Sequence, residues 1–277
     1  MIAQLTGAVA RAFLVVMMIV TPSVFLPNVS SDASQIVAFV AIFAGALTLF
    51  EYVATYPGLI EFRDAPPFNR IRFAAMFLTI LMLSVLCRGM QESGLAIGLV
   101  QALGGLVGQV LDFPYSPVRL MVLALPDAAS VEQVDKVRMA AGLAYFMSLV
   151  SLLTLALIIR FTRWPLGNGS FNVWVNLPTF DPTAGGGVVT RLTRIAQFNI
   201  AVGFVLPFLF PAILKLTSTY FAPLSVEQPQ TLIWTITAWA LLPANLFMRG
   251  VAIQRIATLI EEQRRRADPG EEGLQPV

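Results

Sequence analysis

Six polar side chains stand inside, or at the edge of, long hydrophobic runs: Glu51, Arg160, Gln197, Asn199, Asn245 and Arg249. A polar or charged group is costly in lipid, so each marks either a tight interhelical contact or a path for substrate or protons. All six fall at similar depth near one end of their runs. The arginines keep their charge in nearly any environment. An ion pair between Glu51 and either Arg160 or Arg249 is therefore expected, because it would explain a carboxylate one turn inside the bilayer. Read structurally, the six form salt bridges and interhelical hydrogen bonds; read functionally, they form a substrate or proton site.

Other chemistry is narrowly bounded. The 277 residues contain no histidine and one cysteine, Cys87. Histidine-ligated haem, imidazole-bound metals and a histidine general base are thereby excluded, as are an intramolecular disulfide and a thiolate cluster. The chain carries no Gly-x-Ser-x-Gly, Walker loop or His-Glu-x-x-His, and no cofactor or metal is expected. Gly185-Gly-Gly187 could cradle a phosphate only if a buried strand led into it; without one it reads as a linker.

The elements that must position these residues follow from composition. Hydrophobic residues make up 57% of the chain and charged residues 12%, about half the charged share of a soluble domain. The fold class is therefore an all-α integral membrane protein with six transmembrane helices. The spans cover about 8–26, 35–56, 73–88, 139–160, 195–214 and 232–248. The first reads as an uncleaved signal anchor. Ser130 and Gln133 have capping-box spacing and predict a helix start ahead of the fourth span. Phe171, Val173, Val175 and Leu177 alternate with polar residues at the period of a short strand. Ile253, Ile256 and Ile260 keep helical spacing beyond the last span, and 267–277 is expected to be a disordered tail.

Residues 94–112 are apolar yet soft. Gly94, Gly98, Gln101, Gly105 and Gly108 recur three and four apart, a stripe that lets helices approach closely in a membrane. The expectation is an interfacial or re-entrant helix in the third connection, its stripe against the protein. Charge supports that choice. If this helix does not cross, Arg88, Arg119, Lys136, Arg138 and Lys215 lie on one side. The other 13 of the 18 basic residues then lie on the opposite side. A crossing would give 8 against 10. The positive-inside rule puts both termini and the arginine-rich 61–72 loop in the cytoplasm. Sixteen arginines against two lysines, with abundant alanine, glycine and valine, suggest a bacterial inner membrane.

Three function classes remain. The first is a non-enzymatic accessory, assembly or scaffold component of a larger membrane complex, with the bilayer and other membrane subunits as partners and no nucleic acid. The second is a small-solute transporter or channel built from two inverted three-span halves. The third is a lipid-modifying enzyme using Glu61, Asp64 and the neighbouring arginines.

Overall fold

The computed structural model describes residues 2–27, 29–89, 93–166, 171–183, 185, 187–220 and 228–267. The triplet at 185–187 and the expected tail beyond 267 fall partly or wholly outside them. Nine helices occur among the described residues: α1 (Ile2–Phe25), α2 (Ser31–Val53), α3 (Phe68–Arg88), α4 (Leu95–Leu111), α5 (Pro117–Leu123), α6 (Val131–Phe161), α7 (Val173–Asn176), α8 (Val188–Tyr220) and α9 (Pro229–Ala267). Six of them, α1, α2, α3, α6, α8 and α9, are long and apolar enough to span a membrane. The protein is an all-α membrane protein.

Local sequence explains the helix boundaries. The Ser130 hydroxyl accepts from Gln133 N at 3.2 Å, while the Gln133 side chain accepts from Ser130 N at 2.9 Å. Both orphan donors at the start of α6 are thus satisfied. Ser30 and Ser116 cap α2 and α5 in the simpler way. Prolines inside α8 do not end it. Pro211 has no N–H to offer the Pro207 carbonyl one turn back; the Trp239 indole N–H of α9 donates there instead, at 3.0 Å. The expected strand is one helical turn, α7. The Asn172 side chain accepts from Trp174 N, and the Asn176 side chain donates back to the Asn172 carbonyl. These local bonds favour a turn over an extended chain.

At the centre α3, α6 and α9 pack against one another. Their shared core includes Ile80, Leu83, Leu86, Leu143, Ile236 and Trp239. Outside this triad α1 leans on α3, α2 leans on α1 alone among the described helices, and α8 lies along α9. The α8–α9 contact needs glycine. A Cβ at Gly203 would stand 2.6 Å from Phe247 N, and one at Gly250 would stand 2.7 Å from the Ala196 carbonyl. The isoleucine stripe expected past the last span is real: Ile253 and Ile256 are buried against Trp164 and Leu177.

The additional helix, α4, has 17 residues, or about 26 Å, short of the ~30 Å hydrocarbon core. It packs against α6 and the end of α3, with Gln101 and Gly108 of the expected stripe at the contact and the other members off it. Gly98 and Gly105 face open space, and Gly94 is the exposed residue before the helix. The backbones close at Gly104 and Gly108. A Cβ on Gly142 of α6 would lie 2.5 Å from the Gly108 Cα. Gln101 stays on the contact line and donates to the Gly89 carbonyl at 3.2 Å. Burial of Val107 and Leu111 turns the helix away from the Gly98–Gly105 line, and Leu95, Leu99, Leu106 and Val110 remain exposed.

Replacing Gly142 by Leu should destabilise the protein by about 1–3 kcal/mol or more through overpacking. Gly98→Leu and Gly105→Leu should leave the thermal unfolding midpoint in detergent unchanged. Equal effects at all three positions would contradict this packing.

Candidate functional site

The connection between α2 and α3 carries Glu61, Arg63 and Asp64, and its own backbone organises it. Glu51, in the last turn of α2, is 4% exposed. Its carboxylate accepts from three successive backbone N–H groups, those of Gly58 (3.0 Å), Leu59 (2.8 Å) and Ile60 (3.1 Å). The Arg63 guanidinium folds back over the same helix end and donates to the carbonyls of Glu51 (3.1 Å) and Ala54 (2.6 Å). One side chain thus serves the loop's orphan donors, and the other serves the helix's orphan acceptors. The expected pair of Glu51 with Arg160 or Arg249 does not form. Backbone amides reach the carboxylate first, because Pro57-Gly58 turns the chain straight back onto the helix.

Arg249 pairs instead with Glu61. Its Nε and Nη2 meet the two carboxylate oxygens at 2.6 and 2.7 Å, a bidentate contact. Its Nη1 donates to Asn199 Oδ1 at 3.0 Å. Glu61 also accepts from the Thr179 hydroxyl, and its backbone carbonyl accepts from the Asn69 amide at 2.7 Å. Next to this, Arg72 Nε donates to Asn245 Oδ1 at 3.1 Å. Four of the six residues singled out from sequence therefore lie in ordered polar contacts: Glu51, Asn199, Asn245 and Arg249. The other two do not join them. Gln197 is exposed, and Arg160 is exposed with its guanidinium beside the Phe161 ring. Helical phase explains this, since both turn away from the faces that α6 and α8 bury.

Sequence reading missed the partners in the loops. Asn176 receives Phe62 N on its backbone carbonyl (2.8 Å) and Asp64 N on its side chain (3.0 Å). The Trp164 indole donates to the Ala65 carbonyl at 3.2 Å, and its ring stacks beside Phe62 and Phe68. These contacts join segments about a hundred residues apart, which no local pattern signals.

A second charged cluster holds the opposite end of the bundle. The Asp112 side chain, 6% exposed, lies 2.8 Å from Arg119 Nε and 2.8 Å from Arg138 Nε. Arg138 also meets Asp135. Nearby, Lys215 donates to Asp127 at 2.9 Å and to the Leu125 carbonyl at 3.0 Å. The hydrogen bond from Lys215 holds the Asp127 carboxyl below its ordinary pKa. The two clusters sit at opposite ends of helices whose middles bury apolar side chains.

Among the described residues no group of three potential metal ligands occurs. The arrangement can fix loops to helices and concentrate positive charge at one face. Because Glu61 and Arg249 are only partly buried (11% and 27% side-chain exposure), breaking the pair should cost less than the ~3–5 kcal/mol of a fully buried one. In a double-mutant cycle, Glu61→Gln and Arg249→Gln should be non-additive, with a coupling of about 1–3 kcal/mol. Glu51→Gln combined with Arg249→Gln should be additive, measured by unfolding in detergent. Coupling of Arg249 to Glu51 rather than Glu61 would refute the assignment. No protein-family model, curated protein or solved structure matches this chain.

Proposed function

We propose that this chain is a non-enzymatic accessory, assembly or scaffold component of a larger membrane complex, and that α2 is its docking helix. The observation that carries the reading is the isolation of α2. This helix packs on α1 and on no other element among the described residues. Of its 23 residues only Ala41, Gly45 and Glu51 are buried. Close approach to α1 is set by Gly45, where a Cβ would stand 2.7 Å from Val16. The remaining circumference presents Phe39, Phe43 and Phe50, which are 74%, 65% and 67% exposed. A span held by one neighbour, with an aromatic ridge pointing outwards, suits a helix completed by a second membrane protein.

The transporter reading needs two halves with matching internal packing. If α1, α2 and α3 corresponded to α6, α8 and α9, the α1–α2 contact should recur between α6 and α8. The α8–α9 contact should likewise recur between α2 and α3. Neither counterpart occurs among the described residues, which favours the scaffold. The lipid-modifying enzyme ranks below both, because Glu61 is committed to Arg249 and Asp64 lies beside Arg63.

The complex sits in a bacterial inner membrane with both termini cytoplasmic. This orientation is supported by the 13-to-5 division of basic residues together with six long apolar helices. A periplasm-active reporter fused after Arg266 should be silent; strong activity there would overturn the orientation.

Extraction of the full chain in mild detergent should yield a stoichiometric membrane partner. The triple variant Phe39→Ala, Phe43→Ala and Phe50→Ala should lose that partner without a change in its own unfolding midpoint. A monodisperse chain with no partner that moves solutes across liposomes would replace the scaffold with the transporter.

A further inference from the structure

We infer that the cleft between α1, α2 and α3 at the arginine-rich face binds the phosphate of an anionic membrane lipid. The cleft exists because α2 and α3 do not touch, although α1 packs on both. It encloses about 590 Å³. Its polar wall carries Arg11, Arg70 and Arg72, with Tyr52 and Asn69 beside them, and no carboxylate lines it. Three positive charges gathered at a membrane surface repel one another unless an anion joins them.

The nearest acids pair with other groups, although the Glu61 charge also reaches Arg72 and Asp64 lies beside Arg63. Glu61 is held by Arg249 at 2.6 Å, and Glu51 by the amides of residues 58–60. Arg72 has only neutral hydrogen-bond partners among the described residues, Asn245 at 3.1 Å and Asn69 at 3.5 Å. Arg11 lies over the Tyr52 ring at 4.6 Å. Arg70 and Arg72 also stand at the start of α3, which has no acidic residue in its first turn and no side-chain cap. The positive end of that helix dipole adds to the unbalanced charge. A phosphate with several acceptor oxygens meets guanidinium groups in a geometry that suits both.

The apolar part of the cleft points to a lipid rather than a soluble anion. Leu14 and Val15 continue the wall from Arg11 along α1, and Phe73 continues it from Arg72 along α3. These lie one turn or less deeper, about 5 Å from the charges. A headgroup at the arginines would therefore lead its acyl chains along these residues into the bilayer.

The test uses the purified full chain in a neutral detergent, titrated with phosphatidylglycerol and, separately, with phosphatidylcholine. Retained lipid is counted by native mass spectrometry, and the unfolding midpoint is followed in parallel. Phosphatidylglycerol should be retained and should raise the midpoint, while phosphatidylcholine should do neither. Arg72→Gln should weaken phosphatidylglycerol binding about tenfold, the equivalent of one charge-assisted contact. Should Arg72→Gln fail to fold, the exposed pair Arg11→Gln and Arg70→Gln supplies the same readout, and Arg264→Gln is the control that should bind normally. Equal retention of both lipids, or unchanged binding in the Arg11→Gln, Arg70→Gln variant, would overturn the site. Inorganic phosphate that reproduces the midpoint shift and displaces the lipid would overturn the lipid assignment. A stoichiometric protein partner has no bearing on any of these outcomes, so this site and the scaffold role fail separately.

Discussion

Three neighbouring backbone N–H groups and one carboxylate set the geometry of the arginine-rich end. Where a chain leaves the bilayer, every peptide group it exposes must find a partner, in water or in the protein. The Gly58–Ile60 segment turns back against the end of α2, where its N–H groups face the buried Glu51 carboxylate. Glu51 accepts from all three. The residue looks like an anomaly inside a hydrophobic run, yet removing it would leave several unpaired donors, at about 1–3 kcal/mol each where burial is complete. Its charge is balanced by oriented amide dipoles rather than by a counter-ion.

With that turn fixed, the rest of the connection can reach across the bundle. Glu61 is presented to Arg249 on α9, Phe62 and Ala65 to the segment that follows α6, and Arg72 to Asn245. The loop and the start of α3 therefore bond both to α9 and to the segment that follows α6. Individually these contacts are modest, since partly exposed ion pairs contribute little. They share one rigid segment, however, so ordering one of them orders the others. The opposite end uses a different device: Asp112 gathers Arg119 and Arg138 from α5 and α6. Between the ends the helices are held by packing, with close backbone approach at Gly203, Gly250 and Gly142, and by the Trp239 hydrogen bond to the Pro207 carbonyl.

What could be read from the sequence divides along the same line. The six spans, the short extra helix, the Ser130–Gln133 cap and the outward extension of α9 follow from composition and period, which act within one segment. Pairing did not follow. Shared depth alone pairs Glu51 with Arg160 or Arg249, but depth is one coordinate of three. The lateral order of the helices puts Glu61 nearer to Arg249, and the Pro57-Gly58 turn brings amides to Glu51. The glycine stripe reaches its neighbours only through Gln101 and Gly108, for a related reason. Spacing identifies a face, whereas contact depends on which side of that face carries Val107 and Leu111 into the core. Gly203 and Gly250 gave no sign because each stands alone in its run, and only the partner helix makes them necessary.

The uneven packing of the two halves has a further consequence. In the second half, α8 lies along α9 over most of its length, and glycine lets the backbones touch. In the first half, among the described residues, α2 packs on α1 alone of the helices and is tied to the loop that Glu51 anchors. That asymmetry opens the cleft beside Arg11, Arg70 and Arg72, because a helix packed directly on α3 would fill it. It also leaves the aromatic face of α2 outward. A lipid phosphate in the cleft would bridge α1 and α3 beside the Glu51 turn and so stiffen the attachment of α2.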